Sequence, residues 1–312
     1  MEYRKLGKTE ISVSVIGFGA WQIGGAPFWN SEGEKASREA IDAALEAGIN
    51  LFDTAPVYGF GRSETILGEA LKNVRDKVII ATKCGLRWKS EDLKTLYNDL
   101  KPASVREEVE ASLRRLNTDM IDIYQIHWPS KDDAIEATME ELAKLKDEGK
   151  IKAIGVSNFS TSLLKEALNV TDVDSIQPRY NLLEPEADED LLPFCLKENI
   201  GVLAYSPLSS GLLTGKYKSA GNFNDWRDGA KFGIFRKEAI DEGMRKVNLL
   251  IDKADTDGVK LSQVAIEWVL ENRAVTSALV GVKKPSHITE NVIMSNNRLD
   301  SKVLGGFADL LK

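Results

Sequence analysis

Short apolar runs alternate with longer amphipathic stretches along almost the whole chain. Because a crossover between neighbouring parallel strands needs a helix, this alternation predicts a parallel sheet. The predicted strands lie at residues 15–17, 49–53, 78–83, 121–127, 151–157, 175–180, 201–205 and 277–281. The predicted helices lie at residues 34–47, 63–71, 105–116, 134–148, 160–168, 190–197 and 261–272. Such a chain folds either as a closed barrel or as an open, doubly wound sheet.

The ends of the predicted strands distinguish these two folds. Successive apolar runs finish in polar or aromatic residues, which are Asp53, Lys83, His127, Ser157, Gln177 and Tyr205. In a barrel these carboxyl ends meet at one mouth, whereas an open sheet would spread them along a line. We therefore predict an α/β protein with a (β/α)8 barrel, formed by a single domain over residues 1–312.

Two segments fall outside the alternation. Residues 1–6 and 11–14 flank a Gly-Lys-Thr-Glu turn and predict a β-hairpin that closes the bottom of the barrel. Residues 206–241 are rich in Gly, Ser and Asn and lack a regular period. Because long irregular segments in compact domains are usually functional or disordered, we expect this one to cover the C-terminal mouth.

Helix boundaries are marked in three places. Ser104, with Glu107 three residues later, has the spacing of a capping box and predicts the start of a helix. Gly48 and Gly149 follow amphipathic runs and predict helix ends, since glycine readily adopts the left-handed conformation found there.

Composition and charge limit the kinds of partner. The chain has 312 residues and a net charge of −7, which argues against a general affinity for nucleic acid. Cys84 and Cys195 match no metal or redox spacing and fit a reducing compartment. The first residues lack the apolar core of a signal peptide, and no uncharged apolar run would span a bilayer. We expect a cytoplasmic protein without membrane or nucleic-acid partners and without a metal; its oligomeric state stays open.

Four residues near the strand ends could together transfer a proton: Asp53, Tyr58, Lys83 and His127. A free tyrosine has a pKa of about 10, and a neighbouring ammonium group would lower it while a carboxylate holds the ammonium in place. A histidine across the cavity could orient a carbonyl. Each residue alone also fits a structural ion pair or a packing role, and only their joint occurrence favours catalysis.

The motifs around these residues resemble the aldo-keto reductases, in the branch that includes bacterial general oxidoreductases and potassium-channel β-subunits. The likeness extends from Tyr3 to Asn291. Its motifs are NLFDTA at 50–55 followed by Tyr58-Gly59, IATK at 80–83, YQIH at 124–127, IGVSNF at 154–159, YSPL at 205–208 and GVKKP at 281–285. The resemblance implies that Tyr58 is the general acid and base, that Lys83 and Asp53 tune it, and that His127 orients a carbonyl during nicotinamide-dependent reduction.

The sequence has no dinucleotide fingerprint of the Rossmann type, because Gly17-Phe18-Gly19 lacks the third glycine. Side chains at a barrel mouth could instead hold the cofactor, with Tyr205 stacking on a ring. The amides could equally cap turns; the family resemblance favours the cofactor interpretation. The expected cofactor-binding residues are Gly19, Ala20, Trp21, Asp53, Ser157, Asn158, Gln177, Tyr205, Ser206, Pro207, Leu208, Ser210, Gly211, Lys216, Gly281, Lys283, His287, Glu290 and Asn291.

The adenosine end of the cofactor is expected near the last strand, where lysines and a helix start suit a phosphate. By resemblance, Lys216 straps the pyrophosphate. Many relatives carry an arginine in this region or at the position of His287. This departure weakens the inference that NADP is preferred over NAD. We expect NADP(H) as the preferred cofactor and NAD as the alternative.

Aromatic residues predict a pocket for an apolar or aryl carbonyl substrate. Its expected wall consists of Trp21, Trp29, Tyr58, Trp88, His127 and Trp128. Trp29 or Trp88 could equally pack a loop onto the barrel.

Two other functions use the same residues. A strand-end lysine such as Lys83 can form a Schiff base, as carbonyl-lyases do. Alternatively, the protein could bind its cofactor as a redox signal, with incidental turnover. The sequence decides neither the natural substrate nor the direction of the reaction.

Overall fold

The structure, a computed structural model, describes residues 1–30, 32–217, 219, 223, 225–228, 233–236, 238–296 and 298–311. The strands are β1 (Tyr3–Lys5), β2 (Ser12–Ser14), β3 (Ile16–Gly19), β4 (Leu51–Asp53), β5 (Ile79–Cys84), β6 (Leu86–Trp88), β7 (Leu96–Asn98), β8 (Ile121–Ile126), β9 (Ile151–Ser157), β10 (Ser175–Gln177), β11 (Gly201–Tyr205) and β12 (Val275–Gly281). The helices are α1 (Glu34–Glu46), α2 (Arg62–Leu71), α3 (Pro102–Leu116), α4 (Ile135–Asp147), α5 (Thr161–Leu168), α6 (Leu191–Glu198), α7 (Ile240–Asp257), α8 (Leu261–Glu271), α9 (Pro285–Asn296) and α10 (Ser301–Asp309). None of these helices is long and apolar enough to cross a membrane.

Eight strands close into a parallel barrel in the order β3-β4-β5-β8-β9-β10-β11-β12, and β12 pairs with β3. At least one helix lies between each consecutive pair of barrel strands. The predicted (β/α)8 barrel is therefore confirmed, and each predicted barrel strand overlaps an observed one. The predicted ends differ by up to three residues, because pairing with the neighbouring strands, and not the apolar pattern alone, sets where a strand begins and ends.

The barrel strands read as nearly continuous apolar runs because both of their faces are buried. Side chains that point inward form one apolar cluster inside the barrel, which includes Leu51, Ile123 and Leu203. Side chains that point outward pack beneath the surrounding helices in a larger cluster. The interior is thus filled, and open space is left to the ends of the strands.

The N-terminal hairpin closes the floor of the barrel, as the sequence predicts. β1 and β2 pair antiparallel, and the turn after β1 inserts the fully buried Leu6 into the interior cluster. Gly7 has a φ of +53°, and a Cβ there would lie 2.7 Å from the carbonyl oxygen of Asn199 and 2.8 Å from the nitrogen of Gly201. Glycine is required at this close contact.

One helix start differs from its prediction by more than one residue. α3 begins at Pro102, since proline is well suited to the first helical position. Ser104 therefore lies inside the helix, and its hydroxyl accepts a hydrogen bond of 2.9 Å from Arg87. The predicted helix ends are confirmed, because Gly48 and Gly149 follow α1 and α4 with φ of +82° and +75°.

The segment predicted as a long loop is only partly irregular. It begins as expected after β11, contains short 3-10 turns at Ser209–Thr214 and Gly233–Phe235, and ends where α7 begins at Ile240. Residues 218, 220–222, 224, 229–232 and 237 of this prediction lie outside the described residues. The β6–β7 hairpin at the mouth is a finding that the periodicity did not predict.

Candidate active site

The carboxyl ends of the barrel strands surround a cavity of about 560 Å³. This volume lies in the range of small-molecule and cofactor sites. The residues at or directly after strand ends that line it are Gly19, Asp53, His127, Ser157, Asn158, Gln177, Tyr205 and Gly281. The convergence expected from the strand endings is therefore present.

Lys83 lies beneath the cavity and connects two of the proposed catalytic groups. Its Nζ is 2.8 and 3.0 Å from the two carboxylate oxygens of Asp53 and 2.8 Å from the carbonyl oxygen of Thr54. Its third close partner is the hydroxyl of Tyr58, at 3.5 Å. The side chains of Lys83 and Asp53 are only 1% and 6% exposed, so solvent screens this ion pair little.

The loop that carries Tyr58 is held by contact between two glycines. Gly59 has a φ of +63°, and a Cβ there would lie 2.2 Å from the carbonyl oxygen of Gly24. A Cβ on Gly24 would in turn lie 2.7 Å from the carbonyl carbon of Tyr58. The two backbone segments pack so closely that neither position has room for a side chain. This contact holds the phenol of Tyr58 above Lys83.

The pKa of Tyr58 differs from the sequence-based expectation. Burial raises the pKa of its phenol well above the usual value, and the negative charge of Asp53 raises it further. The pKa is therefore not lowered overall as expected, because desolvation of the buried phenolate outweighs the stabilisation that the Lys83 ammonium gives it. The phenol stays protonated at neutral pH and is a proton donor, and the adjacent ammonium can stabilise the phenolate after the proton leaves.

His127 stands edge-on to Tyr58, with their ring centres 5.8 Å apart. Burial lowers the pKa of the imidazole well below its usual value, and the nearby charge of Lys83 acts in the same direction. His127 is therefore neutral near pH 7 and offers one N–H donor. The phenol of Tyr58 and this imidazole border the same cavity, so both can donate to one oxygen atom.

The amides proposed to bind the cofactor are tied to the same site. Gln177 donates a hydrogen bond of 2.8 Å to Asp53. Asn158 donates one of 3.0 Å to the carbonyl oxygen of His127 and accepts one of 2.8 Å from the hydroxyl of Tyr205. Ser157 donates to the carbonyl oxygen of Gln177 at 2.8 Å. These amides thus link the strand ends across the mouth, which a turn-capping role alone does not require.

Most of the other expected cofactor residues also border the cavity. They are Trp21, Ser206, Pro207, Leu208, Ser210, Gly211, Lys216, Lys283, His287, Glu290 and Asn291. Ala20 does not line it: this residue is fully buried, and its backbone nitrogen donates to the carbonyl oxygen of Asp53. Burial lowers the pKa of His287, and the charges of Lys216 and Lys284 lower it further, which indicates that positive charge is concentrated at this end.

The groups that border the cavity fit an elongated molecule with an aromatic amide at one end and phosphates at the other. The amides of Asn158 and Gln177 and the ring of Tyr205 lie at the strand ends, while Lys216 and Lys283 border the same cavity. Within the described residues, Nε1 of Trp21 and Oε1 of Gln22, which both border the cavity, are buried without a hydrogen-bond partner. Such orphaned polar atoms are uncommon in finished protein cores and are consistent with a polar ligand beside them.

An aromatic wall borders the other part of the cavity. Trp21 lies 5.3 Å from Trp29, 5.7 Å from Phe28 and 5.0 Å from Trp226, measured between ring centres. Trp128 borders the opening and is 40% exposed.

Of the expected wall residues, Trp21, Trp29, Tyr58, His127 and Trp128 line the cavity. Trp88 lies elsewhere. It ends β6, and its ring packs against Phe60 at 5.4 Å, so this tryptophan does not form part of the wall.

Two arginines at the cavity were missed in the sequence. Arg179 follows β10 and lies with its guanidinium 5.4 Å from the ring of Tyr205; its place after a strand end could have indicated it. Arg227 pairs with Asp225 at 2.7 Å and stacks on Trp29 at 5.3 Å. It lies in the irregular segment, where no period or motif marks a position.

The chain is similar to known proteins over nearly its whole length. A model of the aldo/keto reductase family matches residues 15–311. The chain is 43% identical over 293 residues to aldo-keto reductase YhdN of Bacillus subtilis (strain 168), which covers 92% of this chain and 87% of the relative. It is 38% identical over 331 residues to the NADH-specific methylglyoxal reductase of Escherichia coli (strain K12), with 98% of each chain covered. The solved structure of the glycerol dehydrogenase AKR11B4 from Gluconobacter oxydans matches with a TM-score of 0.87 and 37% identity, covering 99% of this chain and 94% of that chain.

Proposed function

Because the chain belongs to the aldo/keto reductase family, whose members are NAD(P)H-dependent oxidoreductases acting on carbonyls, we propose that it is an NADP(H)-dependent carbonyl reductase with Tyr58 as the proton donor. The observation that carries the proposal is the distance of 3.5 Å between Lys83 Nζ and the hydroxyl of Tyr58, above the buried Lys83–Asp53 pair. A cation at this distance stabilises the phenolate that remains once the proton has been transferred.

When bound, the nicotinamide supplies the hydride for the carbonyl carbon, or accepts one in the reverse direction. Tyr58 and His127 donate hydrogen bonds to the carbonyl oxygen and so fix the carbonyl for attack. As negative charge develops on that oxygen, the proton of Tyr58 moves to it, and Lys83 stabilises the phenolate. In alcohol oxidation the same proton returns to Tyr58, so the site serves both directions.

The residues that would hold the cofactor divide between its two ends. Ser157, Asn158 and Gln177 would hold the amide of the nicotinamide, with Tyr205 against its ring. Lys216 and the residues near the start of α9 would hold the phosphates, where lysines and the helix N-terminus suit negative charge.

We propose a preference for NADPH, based on the lysines Lys283 and Lys284 before α9. The Escherichia coli relative is named as specific for NADH, so the preference needs a direct measurement. In titration calorimetry, NADPH should bind more tightly than NADH, and the double variant Lys283→Ala/Lys284→Ala should narrow the difference. Lys197→Ala, an exposed lysine on α6, is the control and should leave both affinities unchanged. Equal dissociation constants of the native protein for the two cofactors would overturn the preference.

We propose aldehydes with an apolar or aryl group as the substrate class, on the strength of the aromatic wall around Trp21 and Trp29. The relatives named for methylglyoxal and glycerol suggest small polar substrates as the alternative. A panel containing benzaldehyde, methylglyoxal and dihydroxyacetone separates these classes. We expect the highest kcat/KM with benzaldehyde, and a higher value with either small polar compound would contradict the proposed class.

Turnover itself is tested by NADPH oxidation with this panel. The native protein should oxidise NADPH, and Tyr58→Phe should bind the cofactor with unchanged affinity while losing turnover, because the phenyl ring has no proton to give. Tight binding without turnover by the native protein would favour a cofactor-binding sensor. Borohydride trapping of the substrate on Lys83 would favour a lyase, which the enclosure of Lys83 by three hydrogen-bond partners opposes.

A further inference from the structure

A second buried amide lies between the proposed catalytic and cofactor-binding groups. Gln125 is on β8, on the strand next to β5, and is fully buried. Its Nε2 lies 3.3 Å from Asp53 Oδ2, and its Oε1 lies 3.3 Å from Nε2 of Gln177. Nε2 of Gln177 is itself 2.8 Å from the same Asp53 oxygen. The three side chains form a closed hydrogen-bonded triangle.

The chemistry of this triangle fixes the orientation of both amides. An ionised carboxylate only accepts hydrogen bonds, so each amide must turn its NH2 group toward Asp53. The second N–H of Gln177 then meets the carbonyl oxygen of Gln125. Both hydrogens of the Gln177 nitrogen are thereby engaged, and its Oε1 is the amide atom left to accept from a ligand.

The backbone makes room for Gln125. Gly155 on β9 is the register partner of Gln125, and a Cβ there would lie 2.7 Å from Cγ of Gln125. Burying an amide among apolar side chains is costly unless its polar atoms are hydrogen-bonded. A leucine of similar size would fill this position without that cost, which indicates a role beyond packing.

We propose that Gln125 is a positioning residue, which holds the amide of Gln177 so that its Oε1 accepts a hydrogen bond from the carboxamide N–H of the nicotinamide. The inference rests on the proposed function. Without Gln125, one N–H of Gln177 loses its partner and the amide can rotate, so an oriented acceptor is replaced by a mixture of orientations.

The test compares the dissociation constants of NADPH and of its 3-acetylpyridine analogue, whose methyl group cannot donate a hydrogen bond. The native protein should bind NADPH more tightly than the analogue. Gln125→Leu should weaken NADPH binding roughly tenfold, as expected for one lost hydrogen bond, and leave the analogue nearly unaffected. Tyr124→Phe, which removes a buried hydroxyl from the same strand away from this triangle, is the matched control and should change neither constant.

Gln125→Glu provides an independent, pH-dependent readout. A protonated carboxyl at this position can donate to Asp53 and accept from Gln177, as the native amide does, whereas an ionised one repels Asp53. Burial beside Asp53 raises the pKa of the introduced carboxyl. NADPH affinity relative to the native protein should therefore fall as pH rises. A constant ratio across pH 5.5 to 9 would oppose the inference.

The outcomes separate the two proposals. Failure of the native protein to bind either dinucleotide would overturn the proposed function and this inference with it. If the native protein and Gln125→Leu discriminate equally between NADPH and the analogue, only the role of Gln125 is refuted. If Gln125→Leu does not fold, the pH profile of Gln125→Glu decides the question.

Discussion

Replacement of Lys83 by methionine removes the charge next to the phenol while keeping most of the side-chain volume. At 3.5 Å, an ammonium and a phenolate interact by about 5 kcal/mol for an effective dielectric constant of about 20. The phenolate charge is only partly developed in the transition state, so the loss can be smaller than the full interaction. We therefore expect the transition state to be destabilised by about 3 to 5 kcal/mol, so that hydride transfer slows by about 150- to 5,000-fold.

The assay must isolate the chemical step, because product release can limit turnover in steady state. Single-turnover measurements with the preformed cofactor complex and saturating aldehyde report the rate of hydride transfer. The dissociation constant of the cofactor should change less than threefold in Lys83→Met, since Lys83 lies beneath the cavity and does not line it. An equal loss in affinity and rate would point to a distorted site.

Stability supplies the necessary control. Removal of Lys83 leaves the Asp53 carboxylate without its buried cation, which costs about 3 to 5 kcal/mol of unfolding free energy. The double variant Lys83→Met/Asp53→Asn removes both charges and should recover much of that stability. It should not recover the rate, because no cation remains beside Tyr58. Recovery of the rate, or a single variant within tenfold of the native rate, would refute the electrostatic role of Lys83.

Three further predictions concern the surroundings of the site. Burial raises the pKa of Glu108 to about 8, so the folded state keeps a proton that the unfolded state releases above pH 4.5. The free energy of unfolding should therefore fall as pH rises from 4.5 to 8. Glu108→Gln keeps an acceptor for the Gly85 N–H and should flatten this pH dependence in denaturant titrations. If the native protein and the variant show the same pH dependence, the role of Glu108 is contradicted. The lowered pKa of His127 predicts that its imidazole NMR signal stays at the position of the neutral ring as pH falls through 6.5. A titration midpoint near pH 6.5 for this signal would contradict the lowered pKa. Gly59→Ala should lower kcat/KM more than tenfold by pushing the Tyr58 loop off Gly24, and unchanged kinetics would show that the glycine contact is dispensable.

The barrel could be predicted from the sequence because its strands are apolar on both faces and end in polar residues. β9 and β11 have the predicted limits, and each is followed by a polar residue with a positive φ, Asn158 or Ser206. The start of α3 was mispredicted because the proline at its first position outweighs the Ser104 pattern. The β6–β7 hairpin has three-residue strands of intermediate or exposed positions, which leave no clear alternation.

The site was predictable as far as it lies on strand ends. Asp53, Lys83 and His127 follow from strand position, and the structure brings them together with Tyr58. The direction of the Tyr58 pKa was not predictable, because it depends on how much water the folded chain excludes. Arg227 was missed since tertiary packing alone brings the irregular segment against Trp29.

The N-terminal hairpin makes the two ends of the barrel unequal in their tolerance of change. At the floor, Gly7 and Leu6 lock the first residues against the turn before β11, far along the chain. At the mouth, the aromatic wall is carried by the loops that follow β3 and β11. Natural variation or laboratory evolution can therefore exchange mouth loops for new substrates while the sealed floor maintains the folded state.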